Sequence, residues 1–187
     1  MRIIGGKYRG KKLLLPKTKA IRPSTDRFKE TLFNILEHHY KVQLQGNVLD
    51  LFAGSGALGL ECLSRGAQQV VFVDILHSAI QGIKHSLKGL TELPQCHFIC
   101  ADSQSVNLTT LNLKFSLIFL DPPYDSHLIL KTLQSLLKQQ VTTDDCLLII
   151  ESNQDILLPQ LPKLSQLCSK KIGKSWLKIY QLKENFL

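Results

Sequence analysis

Short apolar runs alternate with helical patterns along most of this chain, and that alternation constrains its fold more than any other feature. Val48–Phe52, Val70–Asp74, His97–Cys100, Phe115–Leu120 and Cys146–Glu151 read as strands. Ala57–Ser64 and Leu76–Leu90 read as helices between them, and Ile129, Leu130, Leu133, Leu136 and Leu137 mark one face of another. Strands separated by helices imply a mostly parallel sheet covered on both faces, an α/β fold. From Leu167 on, two more strands are expected, turning near Gly173-Lys174. At 187 residues the chain fits one domain with a small appendage.

The appendage is at the start. Arg2 to Leu15 carries a short apolar run at each end with glycines between, which reads as a β-hairpin or as paired extended arms. Pro16 to Pro23 is a loop. Ser24, Thr25 and Asp26 offer capping oxygens to a helix whose Phe28, Leu32, Ile35 and Leu36 share a face, running to about His39. Lys41 to Gly46 is a polar linker, so the expected division is 1–40 and 41–187.

Charge is uneven between these parts. Residues 1–30 hold ten Lys/Arg against Asp26 and Glu30, whereas the remaining 157 residues hold 13 basic and 13 acidic side chains. A basic segment on a neutral body suggests a polyanion contact, nucleic acid first, with a merely solubilising arm as the alternative. Lys7, Arg9, Lys11, Lys12, Arg22 and Arg27 are the phosphate-contact candidates; Ser24 and Thr25 are caps first and ligands second.

Other classes find little support. No apolar stretch approaches the roughly 20 residues of a membrane span, and the basic N-terminus lacks the apolar segment of a secretory signal. Five cysteines without CxxC spacing point to a reducing compartment, the cytoplasm, and to mostly buried thiols. No His/Cys spacing suggests a metal, and no heptad demands a dimer, so a metal-free monomer is expected.

Ligands of such sheets bind outside the carboxyl ends of strands. The first strand ends in Asp50-Leu51-Phe52-Ala53-Gly54-Ser55-Gly56-Ala57-Leu58-Gly59. Gly54 and Gly56 permit a tight turn and close approach of a ligand; Gly59 permits close helix–strand packing. The GxGxxG spacing alone also suits a nicotinamide dinucleotide. Asp74 ends the second strand, twenty residues after Gly54, where an acid can accept from ribose hydroxyls or cap a helix. A carboxylate at Asp50 would repel a pyrophosphate but suits a ligand carrying an ammonium and a sulfonium. Asp102 either accepts from an adenine amine or closes an Asx turn.

Asp121-Pro122-Pro123-Tyr124 follows the fourth strand. The two prolines fix a bend outside helix. It presents one carboxylate, carbonyls outside any ladder and an aromatic face. That set suits a planar base with an exocyclic amine, although Asp and Pro are also ordinary turn residues.

Asp50–Gly59 as DLFAGSGALG, Asp121–Tyr124 as DPPY, Arg22–Asn34 as RPSTDRFKETLFN and the opening RIIGGKYRGKKL together resemble the RsmD family. Its members are bacterial S-adenosylmethionine-dependent methyltransferases acting on N2 of a guanine in 16S ribosomal RNA. The resemblance covers nearly the whole chain and is densest before residue 125. It implies a class I methyltransferase fold, Rossmann-like, with seven strands of which the last is antiparallel. It also implies cofactor contacts at Asp50, Phe52, Ala53, Gly54, Ser55, Gly56, Asp74, Ile75, Ala101 and Asp102. Asp121, Pro122, Pro123 and Tyr124 would handle the base. The N-terminal arm and Arg22–Arg27 would touch the RNA, either naked or in a small subunit. The family often has Glu where this chain has Asp74. A DNA adenine-N6 methyltransferase shares the tetrapeptide but needs a target-recognition region. A dehydrogenase would leave the tetrapeptide unused, and a non-catalytic nucleic-acid-binding module would not need the full set.

Overall fold

A computed structural model of the protein describes residues 1–14, 25–91, 93–122, 126–156, 158 and 163–183. Seven strands form one sheet in the order β3-β2-β1-β4-β5-β7-β6. The strands β1 (Asn47–Asp50), β2 (Gln69–Asp74), β3 (Cys96–Cys100), β4 (Phe115–Leu120) and β5 (Thr142–Ser152) are parallel to one another. The last strand, β7 (Ser175–Leu182), lies antiparallel between β5 and β6 (Leu164–Ile172). This is the class I methyltransferase arrangement that the resemblance implied. The strand order reverses between β1 and β4, which opens a crevice at their carboxyl ends.

Side chains alternate along each strand, so the sheet buries two apolar faces. On one face Val48, Phe72, Phe119, Ile149 and Ile179 pack under α1 (Asp26–Asn34), α2 (Ala57–Ser64) and α3 (His77–Ser86). On the other, Leu49, Val71, Ile118, Leu148 and Ile150 meet Ile129, Leu133 and Leu136 of α4 (Ser126–Gln139). Gly59 fulfils its expected packing role: a Cβ there would lie 2.4 Å from the ring of Phe72 and 3.0 Å from Val70.

Several boundaries differ from the sequence reading. α3 ends at Ser86 rather than Leu90. The helix begun at Asp26 continues to His39 only by widening into a π-helical turn, Ile35–His39. The fifth strand starts at Thr142, four residues earlier than its apolar run. Its polar opening pairs with β4 across a register break, and Asp145 there takes φ 63°, so a bulge conceals the strand from a periodicity reading. The segment Lys41–Gly46 is less polar in role than in composition, for Leu44 is buried with the α1–α3 face.

The N-terminal arms pair antiparallel at Arg2 and Lys12, with the Ile3 N–H donating to the Lys11 carbonyl (2.9 Å) and the Leu13 N–H to the Met1 carbonyl (3.1 Å). They are welded to α2. The Ile4 N–H donates to Glu61 Oε2 (2.8 Å), the Tyr8 N–H to Ser64 Oγ (2.8 Å) and the Lys7 N–H to the Ser64 carbonyl (2.7 Å). Arg65 donates to Glu61 Oε1 (2.9 Å) and to Glu37 Oε1 (2.6 Å), and its guanidinium lies 4.6 Å from the Phe33 ring centroid. One charged network therefore joins the arm, the first helix and α2. Ile3 and Leu13 are buried in the same apolar cluster as the sheet.

Candidate active site

A cavity of about 410 Å³ opens at the carboxyl ends of β1, β2, β4 and β5. That size suits a small cofactor with part of a substrate. The Gly-rich loop forms one wall. Gly54 (φ 53°) and Gly56 (φ 74°) are left-handed, which turns the chain from β1 straight into α2.

Four carboxylates share one face of the sheet here. Asp50 aligns with Phe72 and Phe119 of the α1–α3 face; Asp74 and Asp121 lie two residues beyond those phenylalanines, and Glu151 two beyond Ile149. All four line the cavity. Such a wall repels phosphate and favours a cationic ligand. The donor set therefore fits S-adenosylmethionine, which carries an ammonium and a sulfonium, and not a dinucleotide.

Asp50 is the most deeply placed, with its residue 2% exposed and Oδ2 accepting from the Gly59 N–H at 3.1 Å. Burial pushes its carboxyl up to about 7; the Gly59 N–H works against this, and the neighbouring Asp74 adds to it. A carboxyl with a raised folded-state pKa stabilises the fold below its unfolded value, and that contribution is lost as pH rises through about 7. The rise from 3.8 to about 7 corresponds to about 4 kcal/mol. Asp50→Asn keeps an acceptor for Gly59 and removes the charge. It should raise the melting temperature of the ligand-free protein by several degrees at pH 8 and leave it almost unchanged at pH 4. Equal shifts at both pH values would show that buried charge is not the cause.

Asp74 ties the site together. Its Oδ2 accepts from the Gly54 N–H (2.7 Å) and its Oδ1 from the Leu76 N–H (2.8 Å). An ionised carboxylate offers about four acceptor positions, so capacity for a ribose hydroxyl remains on each oxygen. Asp102 forms the Asx turn, Oδ1 accepting from the Gln104 N–H at 2.9 Å, and still lines the cavity. Ile75 is 68% exposed at the cavity mouth. Phe52, Ala53 and Ser55 also line it; Gly56, buried, and Ala101, half-buried against the α4-side core, are not in its lining.

Asp121 and Pro122 reach the same cavity. Pro123 and Tyr124 lie outside the described residues, as do Arg22 and Ser24. Thr25 caps α1, its Oγ1 accepting from the Phe28 N–H at 3.1 Å; it and Arg27 are exposed.

Among the described residues, the basic candidates are not gathered in one place. Tyr8 and Lys7 dock at Ser64, the end of α2 opposite the Gly-rich loop, about 12 Å along the eight-residue helix. Lys7 Nζ lies 5.3 Å from the Tyr8 ring, and Tyr8 packs on the core. Arg9, next along, shares that end through its N–H to the Gly6 carbonyl (3.3 Å). Lys11 and Lys12 lie on the returning arm beside Ile3 and Arg2. Arg2 bonds Asp26 (3.1 Å), and Ser55 Oγ lies 3.4 Å from Met1 Sδ, so the start of the arm and of α1 sits nearer the cavity. Lys29, one of the ten basic residues of the segment, is buried against Asp26 (3.3 Å) and the Arg2 carbonyl and faces no solvent.

Sequence reasoning missed Ser103, Leu128, Glu151, Ser152 and Asn153 on the cavity wall. Glu151 and Ser152 close β5 and Asn153 follows it. The strand-end rule, applied to β5 as it was to β1 and β2, would have found them.

Comparison with known proteins adds a family. Residues 1–181 match the family model described as Conserved hypothetical protein 95. The ribosomal RNA small subunit methyltransferase D of Escherichia coli K12 is 34% identical over 183 residues, covering 97% of this chain and 89% of the relative. A solved Escherichia coli structure assigned as a methyltransferase superposes with a TM-score of 0.81 at 33% identity, covering 99% of both chains. A solved Haemophilus influenzae structure assigned as a methylase gives 0.76 at 31% identity over 98% of both.

Proposed function

Because this chain belongs to the RsmD family of methyltransferases, we propose that it methylates the exocyclic N2 amine of a guanine in 16S ribosomal RNA, using S-adenosylmethionine. The observation that carries this reading is one cavity with two halves. The Asp50–Ser55 loop and Asp74 form the first, and Asp121 with Pro122 begins the second. Cofactor and amine can therefore meet without crossing bulk water.

The first half would hold the cofactor: Asp50 its ammonium, Asp74 its ribose hydroxyls, Ile75 and the Ala101–Asp102 turn the adenine end. Bound there, S-adenosylmethionine supplies an electrophilic methyl group. The protein's own work lies in the second half. A guanine amine is a weak nucleophile because its lone pair is delocalised into the ring. Hydrogen bonds from that amine to the Asp121 carboxylate and the Pro122 carbonyl favour a more pyramidal nitrogen and fix its direction. The same acceptors stabilise the positive charge that develops on nitrogen. Tyr124 stacks on the base, worth about 1–3 kcal/mol by analogy with single-strand binding. The base must leave any helix to enter. Residues 1–40 serve as an RNA-binding extension, with Lys7, Arg9, Lys11, Lys12, Arg22, Ser24, Thr25 and Arg27 as contacts. The enzyme acts as a cytoplasmic monomer.

The test is methyl transfer from radiolabelled S-adenosylmethionine to small ribosomal subunits, naked 16S RNA and duplex DNA, followed by digestion to nucleosides. Label in N2-methylguanosine is the expected result. Label in N6-methyladenine from DNA would move the enzyme to the other amine-methylating class, and no label with cofactor bound would make it a binding module.

A further inference from the structure

Between Lys163 and Lys183 the chain carries six lysines and no acid. A net charge of zero over residues 31–187 conceals this cluster, and the fold sorts it. Lys178 is buried and paired with Asp155 at 2.6 Å. Lys163 and Lys183 lie at the open end of the β6–β7 hairpin, where the Lys183 N–H donates to the Lys163 carbonyl (3.0 Å). Lys170, Lys171 and Lys174 are exposed and flank its turn.

Register decides where that turn points. β7 runs antiparallel to β5 with Trp176 opposite Ser152, and Ser152 lines the cavity. The turn therefore projects from the carboxyl edge of the sheet, the edge that holds the site. Lys171 lies opposite Trp176 on β6, two strand spacings or roughly 10 Å from β5. Its Nζ is 6.0 Å from the centroid of the half-buried Trp176 ring. This is the substrate side, since Asp121 follows β4 and Glu151 immediately precedes Ser152, the last residue of β5. The tip of the N-terminal arm, by contrast, docks at the far end of α2.

We infer that the β6–β7 turn, through Lys170, Lys171 and Lys174, binds the RNA phosphodiester backbone beside the target nucleotide. The inference rests on the RNA reading above and names a second contact surface for it. A nucleotide withdrawn from its stack needs its flanking phosphates held, and three cations on one edge, seated on a paired hairpin, supply that hold. An acidic protein neighbour in the subunit is the rival occupant of such a patch.

The test uses the full chain carrying Lys170→Gln, Lys171→Gln and Lys174→Gln together, beside a Lys163→Gln/Lys183→Gln control. Affinity for naked 16S RNA is measured across salt concentrations, with KM and kcat from the methyl-transfer assay. The expected result is a loss of at least roughly tenfold in affinity at low salt and a log–log salt slope shallower by about 2–3, at 0.7–0.9 per phosphate contact. KM should rise with kcat held, and the control pair should behave as wild type. An unchanged slope in the triple variant, or equal losses in both variants, would overturn the inference. A loss seen only with assembled subunits and not with naked RNA would overturn it in favour of a protein neighbour. Failure of the wild type itself to bind RNA would overturn the RNA reading first.

Discussion

Asp121→Ala should lower methyl transfer by about 10²–10³-fold or more while cofactor affinity, measured by calorimetry, changes little. The magnitude follows from comparable losses when one preorganised polar group facing a developing charge is removed. Asp121 lies one residue past β4, on the face shared with Asp50 and Asp74, and lines the cavity they line. Its neighbours in the wall are held by bonds that do not involve it: Asp50 by Gly59, Asp74 by Gly54 and Leu76. The cofactor half should therefore keep its shape. Asp121→Asn retains an acceptor oxygen without charge and should fall between wild type and the alanine variant. Loss of cofactor binding together with turnover would assign Asp121 to holding the bend rather than to the reacting amine.

Arg65→Met should destabilise the protein by about 3–5 kcal/mol, because it leaves the Glu61 carboxylate, fully buried, without its counter-charge. For a chain of this size that is a fall of roughly 10 °C or more in melting temperature. The arginine does three things at once. It neutralises Glu61, reaches Glu37 beyond the first helix and covers the Phe33 ring. Glu61 in turn accepts the Ile4 N–H (2.8 Å), so the N-terminal arm loosens with it. Adding Glu61→Gln removes the stranded charge, and the double variant should regain much of the loss. A cost below about 1 kcal/mol for Arg65→Met would mean that the network behaves like an exposed ion pair.

Much of the fold was legible in particular residues. Val48, Phe72, Phe119 and Ile149 sit in apolar runs of strand length. Strand length and spacing are local properties, so all seven strands, including the late pair that turns at Gly173-Lys174, and the main helices could be located without contacts. The Gly-rich loop was legible for the same reason: left-handed turns at Gly54 and Gly56 and a glycine against Phe72 each follow from what one residue can do. The opening of β5 was not, since Thr142–Asp145 is polar and bulged and its pairing depends on where β4 lies. From the sequence Asp102 suits either an adenine contact or an Asx turn; the structure shows the Asx turn, and an acceptor position facing the cavity is compatible with it.

The charged residues divide differently. Composition counted Lys29 with the basic arm and Lys178 and Glu61 with a neutral body, yet all three are buried and bonded. Which charges face solvent depends on partners far along the chain: Glu61 on Ile4, Lys178 on Asp155. Residue order alone dictates the strand–helix alternation, the turn after β1 and the acids at the ends of β1, β2 and β4, because each expresses a local backbone or periodicity rule. Contacts between distant segments were needed to bring Glu151 to those acids, to dock the arm's tip at the far end of α2, and to stand three lysines of a late hairpin at the edge that holds the cavity. Those outcomes depend on strand order and register, which are set by packing between residues distant in sequence.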